Sequence, residues 1–178
     1  MKLIIRFFAT LSYYPALAWN ILLGRVLRLH DWWNMIDQHL VLGAVPFQTD
    51  LLVLKNMGIG AVLNLCGECH CYEALLRQYD MNYMYLPVVD FTSPDLDTVL
   101  KALSFISDQV ENDKKVYVHC RAGRGRSATV VLCWLIREMG VNPEDAMDFL
   151  ISKRPNVNKK IYQRKVVKEF YKKLHSDL

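Results

Sequence analysis

The run KVYVHCRAGRGRSATVVLCWLI, residues 115–136, restricts this chain more than any other stretch. KVYVHC is β-branched, aromatic or apolar after its opening lysine, as a buried strand is. From Ser127 to Met139 the apolar residues recur as on a helix, and Gly140 stands where such a helix ends. Between these two elements lie Cys120 and Arg126, separated by the five residues Arg121, Ala122, Gly123, Arg124 and Gly125. A strand-to-helix loop of that length can close its main-chain N–H groups around one tetrahedral anion, and the helix N-terminus adds positive potential. Gly123 and Gly125 permit unusual dihedral angles and close approach. The planar fork of Arg126 can hold two phosphate oxygens. The same field favours Cys120 as a thiolate, which makes it a nucleophile at neutral pH. Ser127 can donate its hydroxyl hydrogen to that sulfur and help it leave.

The rest of the chain alternates strand-like and helix-like segments, which predicts one α/β domain with a mostly parallel sheet flanked by helices. HLVLGAV, from residue 39, reads as an edge strand after the lead-in DWWNMIDQ. Thr49 is placed to cap a helix over 50–57 that Gly58 ends. GAVLNLC at 60–66 and NYMYLPV at 82–88 read as strands, with a short helix over 72–80 between them. Ser93 and Pro94 open a helix to about Asn112, with Leu96, Val99, Leu100, Leu103, Phe105 and Ile106 on its packed face. Asn142, Pro143 and Glu144 restart a helix to about Lys153, and 159–174 reads as a final basic helix.

The pattern His-Cys-x5-Arg-Ser, in HCRAGRGRS, resembles the signature of the cysteine-dependent protein tyrosine and dual-specificity phosphatases. WWNMIDQHLVLGAVPFQTDLLVLKNMGIGAVLNL, NPEDAMDFLISKRPNV and the closing EFY extend the likeness to the mitochondrial phosphatidylglycerophosphate phosphatase family, over nearly the whole chain. That resemblance implies a three-layer cysteine-phosphatase fold. It implies hydrolysis of phosphatidylglycerophosphate to phosphatidylglycerol through a phosphocysteine, on the cardiolipin pathway, at the matrix face of the mitochondrial inner membrane. Protein dual-specificity and phosphoinositide phosphatases, which share this chemistry, are the alternatives. In such enzymes an Asp on a separate loop protonates the leaving alkoxide. Asp90 in PVVDFT follows a predicted strand thirty residues before Cys120, which matches the family's spacing. Asp95 and Asp97 compete for the role but fall in the first turn of a helix, where acids complement its dipole. The expected catalytic set is thus Cys120, Asp90 and Arg126. The expected substrate-binding set is Arg121, Ala122, Gly123, Arg124, Gly125, Arg126 and Ser127, with no metal or other cofactor, because Arg126 and the loop amides supply the positive field. The sequence departs from the family after the third strand, where an acidic, Tyr-containing motif is replaced by CGECHCYE. Only Glu68, Tyr72 and Glu73 match it there, with altered spacing.

Charge divides the chain into regions. The formal net charge of +4 hides an acid-free segment, residues 1–30, with Lys2, Arg6, Arg25 and Arg28. From Lys153 onward nine basic residues face Glu169 and Asp177, a +7 tail that a −7 middle offsets. With no interleaved basic and aromatic stripe, this is not a nucleic-acid surface. Seventeen uncharged residues from Phe7 to Leu23, with Tyr13, Tyr14 and Trp19 at interfacial depth, read as a targeting or membrane-anchoring segment over 1–30, ahead of a catalytic domain over 31–178. The expected partners are a membrane, through that segment, and a phosphorylated lipid or phosphoprotein substrate. Cys66, Cys69, His70 and Cys71 lie too close together to surround one zinc ion tetrahedrally. Cys133, on the apolar face of the helix after the loop, reads as core.

Overall fold

The computed structural model describes residues 14, 15, 17–69 and 72–176. Its strands are β1 (Trp33–Met35), β2 (Leu40–Gly43), β3 (Ile59–Cys66), β4 (Asn82–Val88) and β5 (Lys115–His119). Its α-helices, in chain order, are α1 (Gln48–Asn56), α2 (Glu73–Gln78), α3 (Leu96–Glu111), α4 (Arg126–Met139), α5 (Pro143–Lys153) and α6 (Lys165–Ser176). The strands form one sheet in the order β1-β2-β5-β3-β4, in which only the β1–β2 pair is antiparallel. This is the expected three-layer α/β architecture.

Strand alternation builds two cores. Leu40, Leu42, Leu63, Leu65, Val116 and Val118 face a large cluster with buried side chains of α3, α4, α5 and α6. Val41, Val62 and Tyr117 face a smaller cluster with Leu51 and Leu54 of α1 and Leu76 of α2. Strands covered on both faces need apolar residues at every position, and β2 and β3 are buried almost throughout. This corrects one expectation: the strand over 40–43 lies inside the sheet, because WNM at 33–35 forms its own strand and takes the edge.

The helix ends differ slightly from expectation, for local reasons. At α1 the Asp50 carboxylate accepts the main-chain N–H of Phe47 at 2.8 Å, so the helix starts two residues before the predicted position and Thr49 lies inside its first turn. The final basic segment breaks into a 3-10 turn at Ile161–Gln163 before α6, with Ile161 fully buried. Gly140 ends α4 at φ +63, the left-handed geometry that favours glycine. Cys133 is buried in the large core, as expected, and burial pushes its thiol up to about 12. Trp134 is buried too, its indole N–H donating to Asp37 at 2.9 Å.

Part of the acid-free N-terminal segment is seated on the domain. The Arg25 guanidinium pairs with Asp50 and lies 4.6 Å from the Trp32 ring centroid and 5.4 Å from that of Phe47. Trp19, Val26, Leu27 and Leu29 are exposed on the same segment. No helix among the described residues is long and apolar enough to cross a membrane. Tyr13 and most of the uncharged run before it lie outside the described residues.

Asp95 caps α3, its carboxylate accepting the Thr98 N–H at 2.9 Å, while Asp97 pairs on the surface with Lys101. Asp95→Ala is therefore expected to cost about 1 kcal/mol of stability, and Asp97→Ala to leave stability nearly unchanged. Chemical denaturation of the two variants checks this.

Candidate active site

The parallel strands β2, β5 and β3 end side by side, with Gly43 and Asn64 both in register with His119. Cys120 follows immediately, so the loop to α4 opens at the carboxyl edge of the sheet, where open α/β folds place their ligands. Sulfur accepts the Ser127 hydroxyl at 3.2 Å, and the main-chain N–H groups of Ser127 and Gly123 are near enough to favour its charged form. Burial alone pushes the Cys120 thiol up. The Arg126 charge and these donors outweigh it, so the thiol ionises below its ordinary value. His119, wholly buried, has its basicity lowered by that burial to about 4, which keeps its ring neutral at physiological pH.

Two features shape the loop. Gly123 sits at φ +66, and a Cβ there would lie 2.3 Å from the Gly43 carbonyl oxygen, a main-chain atom that has no room to yield. Gly125 also adopts an uncommon backbone pair, φ −127 with ψ −73, but the nearest atom to a Cβ there would be Arg164 Nη2 at 3.5 Å, an ordinary contact. The second feature is Arg154, fully buried at the end of α5. Its guanidinium donates to the carbonyls of Gly123 at 3.1 Å and Ala122 at 3.3 Å, and to Asn34 Oδ1 at 2.5 Å. In a trans peptide the N–H points opposite its carbonyl. Drawing the Ala122 carbonyl toward Arg154 therefore turns the Gly123 N–H toward the Cys120 sulfur.

The charges around the thiol are paired. Arg126 Nη1 donates to Glu68 Oε2 and to the Val88 carbonyl, each at 2.7 Å, and its Nη2 lies 3.0 Å from Asp90. That Nη2 forms no aligned hydrogen bond among the described residues, so it still has donors for a bound oxyanion. Arg121 pairs with the other Asp90 oxygen at 2.5 Å and lies 5.7 Å from the Phe91 ring centroid. Glu68 also accepts the Asp90 N–H at 2.8 Å and the Cys66 thiol hydrogen at 3.3 Å. Burial raises the Glu68 carboxyl, but Arg126 and the other donors more than offset this, leaving it ionised below the usual range. Asn64, a buried polar residue inside β3, holds the Glu68 loop: its amide donates to the Cys69 carbonyl at 2.9 Å and its oxygen accepts the Cys66 N–H at 2.7 Å.

All of this opens into one cavity of about 670 Å³, whose lining includes Cys120, Arg121, Arg126, Asp90, Val157, Asn158, Lys159 and Arg164. The structure thus brings together every residue of the expected catalytic set. Arg124 lines the same cavity and donates to the Asn156 carbonyl at 2.7 Å. Sequence reasoning missed Glu68 as a site residue, although Glu68 was one of three matches to the family's acidic motif. It also missed Arg154, Lys159 and Arg164, which the sequence shows only as members of a basic tail. His70 and Cys71 lie outside the described residues, and no cluster of metal-ligating side chains occurs among the described residues.

Comparisons with known proteins agree with this geometry. The family profile "Dual specificity phosphatase, catalytic domain" matches residues 40–173. Phosphatidylglycerophosphate phosphatase PTPMT2 of Arabidopsis thaliana is 38% identical over 161 residues, 89% of this chain and 71% of that protein. Phosphatidylglycerophosphatase and protein-tyrosine phosphatase 1 of Homo sapiens is 31% identical over 176 residues, 93% of this chain and 87% of that protein. Among solved structures, PTPMT1 in complex with PI(5)P superposes with a TM-score of 0.76 at 28% identity, covering 83% of this chain and 99% of that one.

The two loop glycines are expected to part company on substitution. Gly123→Ala should lose about 2 kcal/mol or more from backbone strain and the main-chain clash, and Gly125→Ala should remain folded. Thermal denaturation of both variants measures the difference.

Proposed function

Since this chain belongs to the dual-specificity phosphatases, and is accordingly a cysteine-based phosphate-ester hydrolase, we propose that it removes the terminal phosphate of phosphatidylglycerophosphate to leave phosphatidylglycerol. The observation that carries the chemistry is the Cys120 sulfur held below its ordinary pKa in the same cavity as Asp90 and Arg126. The phosphatidylglycerophosphate phosphatases of Arabidopsis thaliana and Homo sapiens to which this chain is similar, and the PI(5)P in the solved PTPMT1 complex, support a phospholipid substrate.

In this reading the loop N–H groups and Arg126 Nη2 take the phosphoryl oxygens. The arriving anion replaces Asp90 as partner of Arg126, and the freed Asp90 carboxylate takes up a proton from solvent and turns to the ester oxygen. Cys120 sulfur bonds to phosphorus as the P–O ester bond breaks, and the proton of Asp90 passes to the leaving alkoxide. Water then attacks the phosphocysteine and returns a proton to Asp90. The S–P bond breaks, and the Ser127 hydroxyl stabilises the departing thiolate. Glu68 is a positioning residue: it holds Arg126 at the correct angle and fixes the Asp90 backbone.

The N-terminal segment, residues 1–30, serves as the membrane-anchoring and targeting part, ahead of the catalytic domain over 31–178. The exposed Trp19, Val26, Leu27 and Leu29 support this, because they would otherwise be left in water. We place the enzyme on the matrix side of the mitochondrial inner membrane.

Side-by-side turnover of phosphatidylglycerophosphate, phosphoinositides and phosphopeptides tests the substrate. Preference for the glycerol phospholipid is expected, and equal or better activity on phosphopeptides would overturn the lipid assignment. Cys120→Ser should abolish turnover on all three. Asp90→Asn should slow an alkyl phosphate far more than a phenyl phosphate, whose leaving group needs no proton, and equal losses would point to another acid. Because the Cys120 pKa is lowered, thiol alkylation should reach its half-maximal rate at a pH below that of an ordinary cysteine. Ser127→Ala, which removes a donor to the thiolate, should move that pH upward.

A further inference from the structure

The cations that line the active cavity differ in how their charges are balanced. Arg121 and Arg126 both have carboxylate partners, Asp90 and Glu68. Arg124, Lys159 and Arg164 line the same cavity, and none of the three has a carboxylate partner within ion-pair distance among the described residues. Arg164 is not a loose surface side chain. Its Nη1 donates to Thr129 Oγ1 at 2.7 Å and to the Gly125 carbonyl at 3.3 Å, which fastens it to the first turn of α4. It is half-buried, burial lowers its basicity, and it lies near enough to Cys120 for the thiolate charge to oppose that effect. Arg124 is similarly tied by its bond to the Asn156 carbonyl. A partly buried guanidinium with no carboxylate beside it is costly to keep charged unless an anion meets it. The loop and Arg126 already provide for the phosphate that Cys120 attacks, so these three cations are charge to spare.

We propose that Arg164, with Arg124 and Lys159, forms a second anion subsite that takes a phosphate the enzyme does not hydrolyse while the loop holds the one it does. This rests on the phosphatase reading of Cys120 and specifies its substrate class: a phosphomonoester joined through a short polyol to a second, retained phosphate. That second group is either the diester of a lipid headgroup or a second phosphate on a soluble polyol. A pinned guanidinium suits it, since its planar fork meets two phosphate oxygens without ordering a flexible side chain. Lys159, on the exposed side, adds a point charge.

The test compares kcat/KM for three substrates: p-nitrophenyl phosphate, soluble glycerol 1,3-bisphosphate, and phosphatidylglycerophosphate in neutral phosphatidylcholine vesicles. For Arg164→Gln, activity on both bis-anionic substrates should fall roughly tenfold further than activity on p-nitrophenyl phosphate, mostly through KM, as expected for loss of one charge-assisted hydrogen bond. Arg164→Lys should restore part of the selectivity. Lys159→Ala, whose side chain is exposed and ties down no other element, should lower the same ratio to a smaller degree and guards against an effect of misfolding. Equal losses on all three substrates would assign Arg164 a structural role and overturn the subsite. A loss confined to vesicles, with the soluble bisphosphate unaffected, would show that these cations read a membrane surface instead. Failure of the wild-type protein to hydrolyse even p-nitrophenyl phosphate would refute the phosphatase reading itself, which separates the two outcomes.

Discussion

The buried contact between Arg126 and Glu68 is the interaction on which the rest of the site depends. Taking a guanidinium out of water is expensive, and it is tolerable here because a carboxylate and a main-chain carbonyl both meet it at 2.7 Å. The pair links three segments far apart in sequence: the loop after β3, the end of β4 and the start of α4. Glu68 also carries the backbone of Asp90, so the position of the proposed proton donor is tied to that of the anion-binding arginine. The Arg126 charge, balanced but not cancelled, is the largest influence favouring the Cys120 thiolate against burial.

A second buried arginine performs the complementary task. Arg126 faces the anion, whereas Arg154 lies behind the loop and meets main-chain carbonyls. One holds charge in the cavity, and the other orients peptide dipoles toward it. Together with Gly123, which lets the loop pass against Gly43, they make the anion site a product of the whole sheet edge. A preorganised array of this kind has little reorganisation left to undergo when charge develops in the transition state.

Much of this was legible from local pattern. β3, β4, β5 and the helices after them follow from β-branched runs, apolar periodicity and end signals such as Pro143 and Gly140, because those signals act over a few residues. The edge strand was not legible: WNM is short and carries no alternation long enough to register, and its pairing with β2 is a tertiary event. Within the site, Cys120, Arg126 and the loop between them were evident because the chemistry is contiguous. Asp90 was found through spacing that a family resemblance supplied. Glu68 lay in a run that departs from the family's motif, and only its contact with Arg126 shows what it does. Arg154 had no signal at all, since a basic residue closing a helix is ordinarily a solvated one that favours the helix dipole.

The sequence by itself determined the reactive loop, the α/β layering and the segregation of charge into a basic start, an acidic middle and a basic tail. All three depend on neighbours in the chain or on simple counting. Tertiary structure decided which charges neutralise one another. It paired Arg126 with Glu68 and Arg121 with Asp90 across tens of residues, buried Arg154 beneath the loop, and left Arg124, Lys159 and Arg164 in the cavity lining with no carboxylate partner among the described residues. Electrostatic energy depends on distance in space and on burial, and neither can be read from position along a chain.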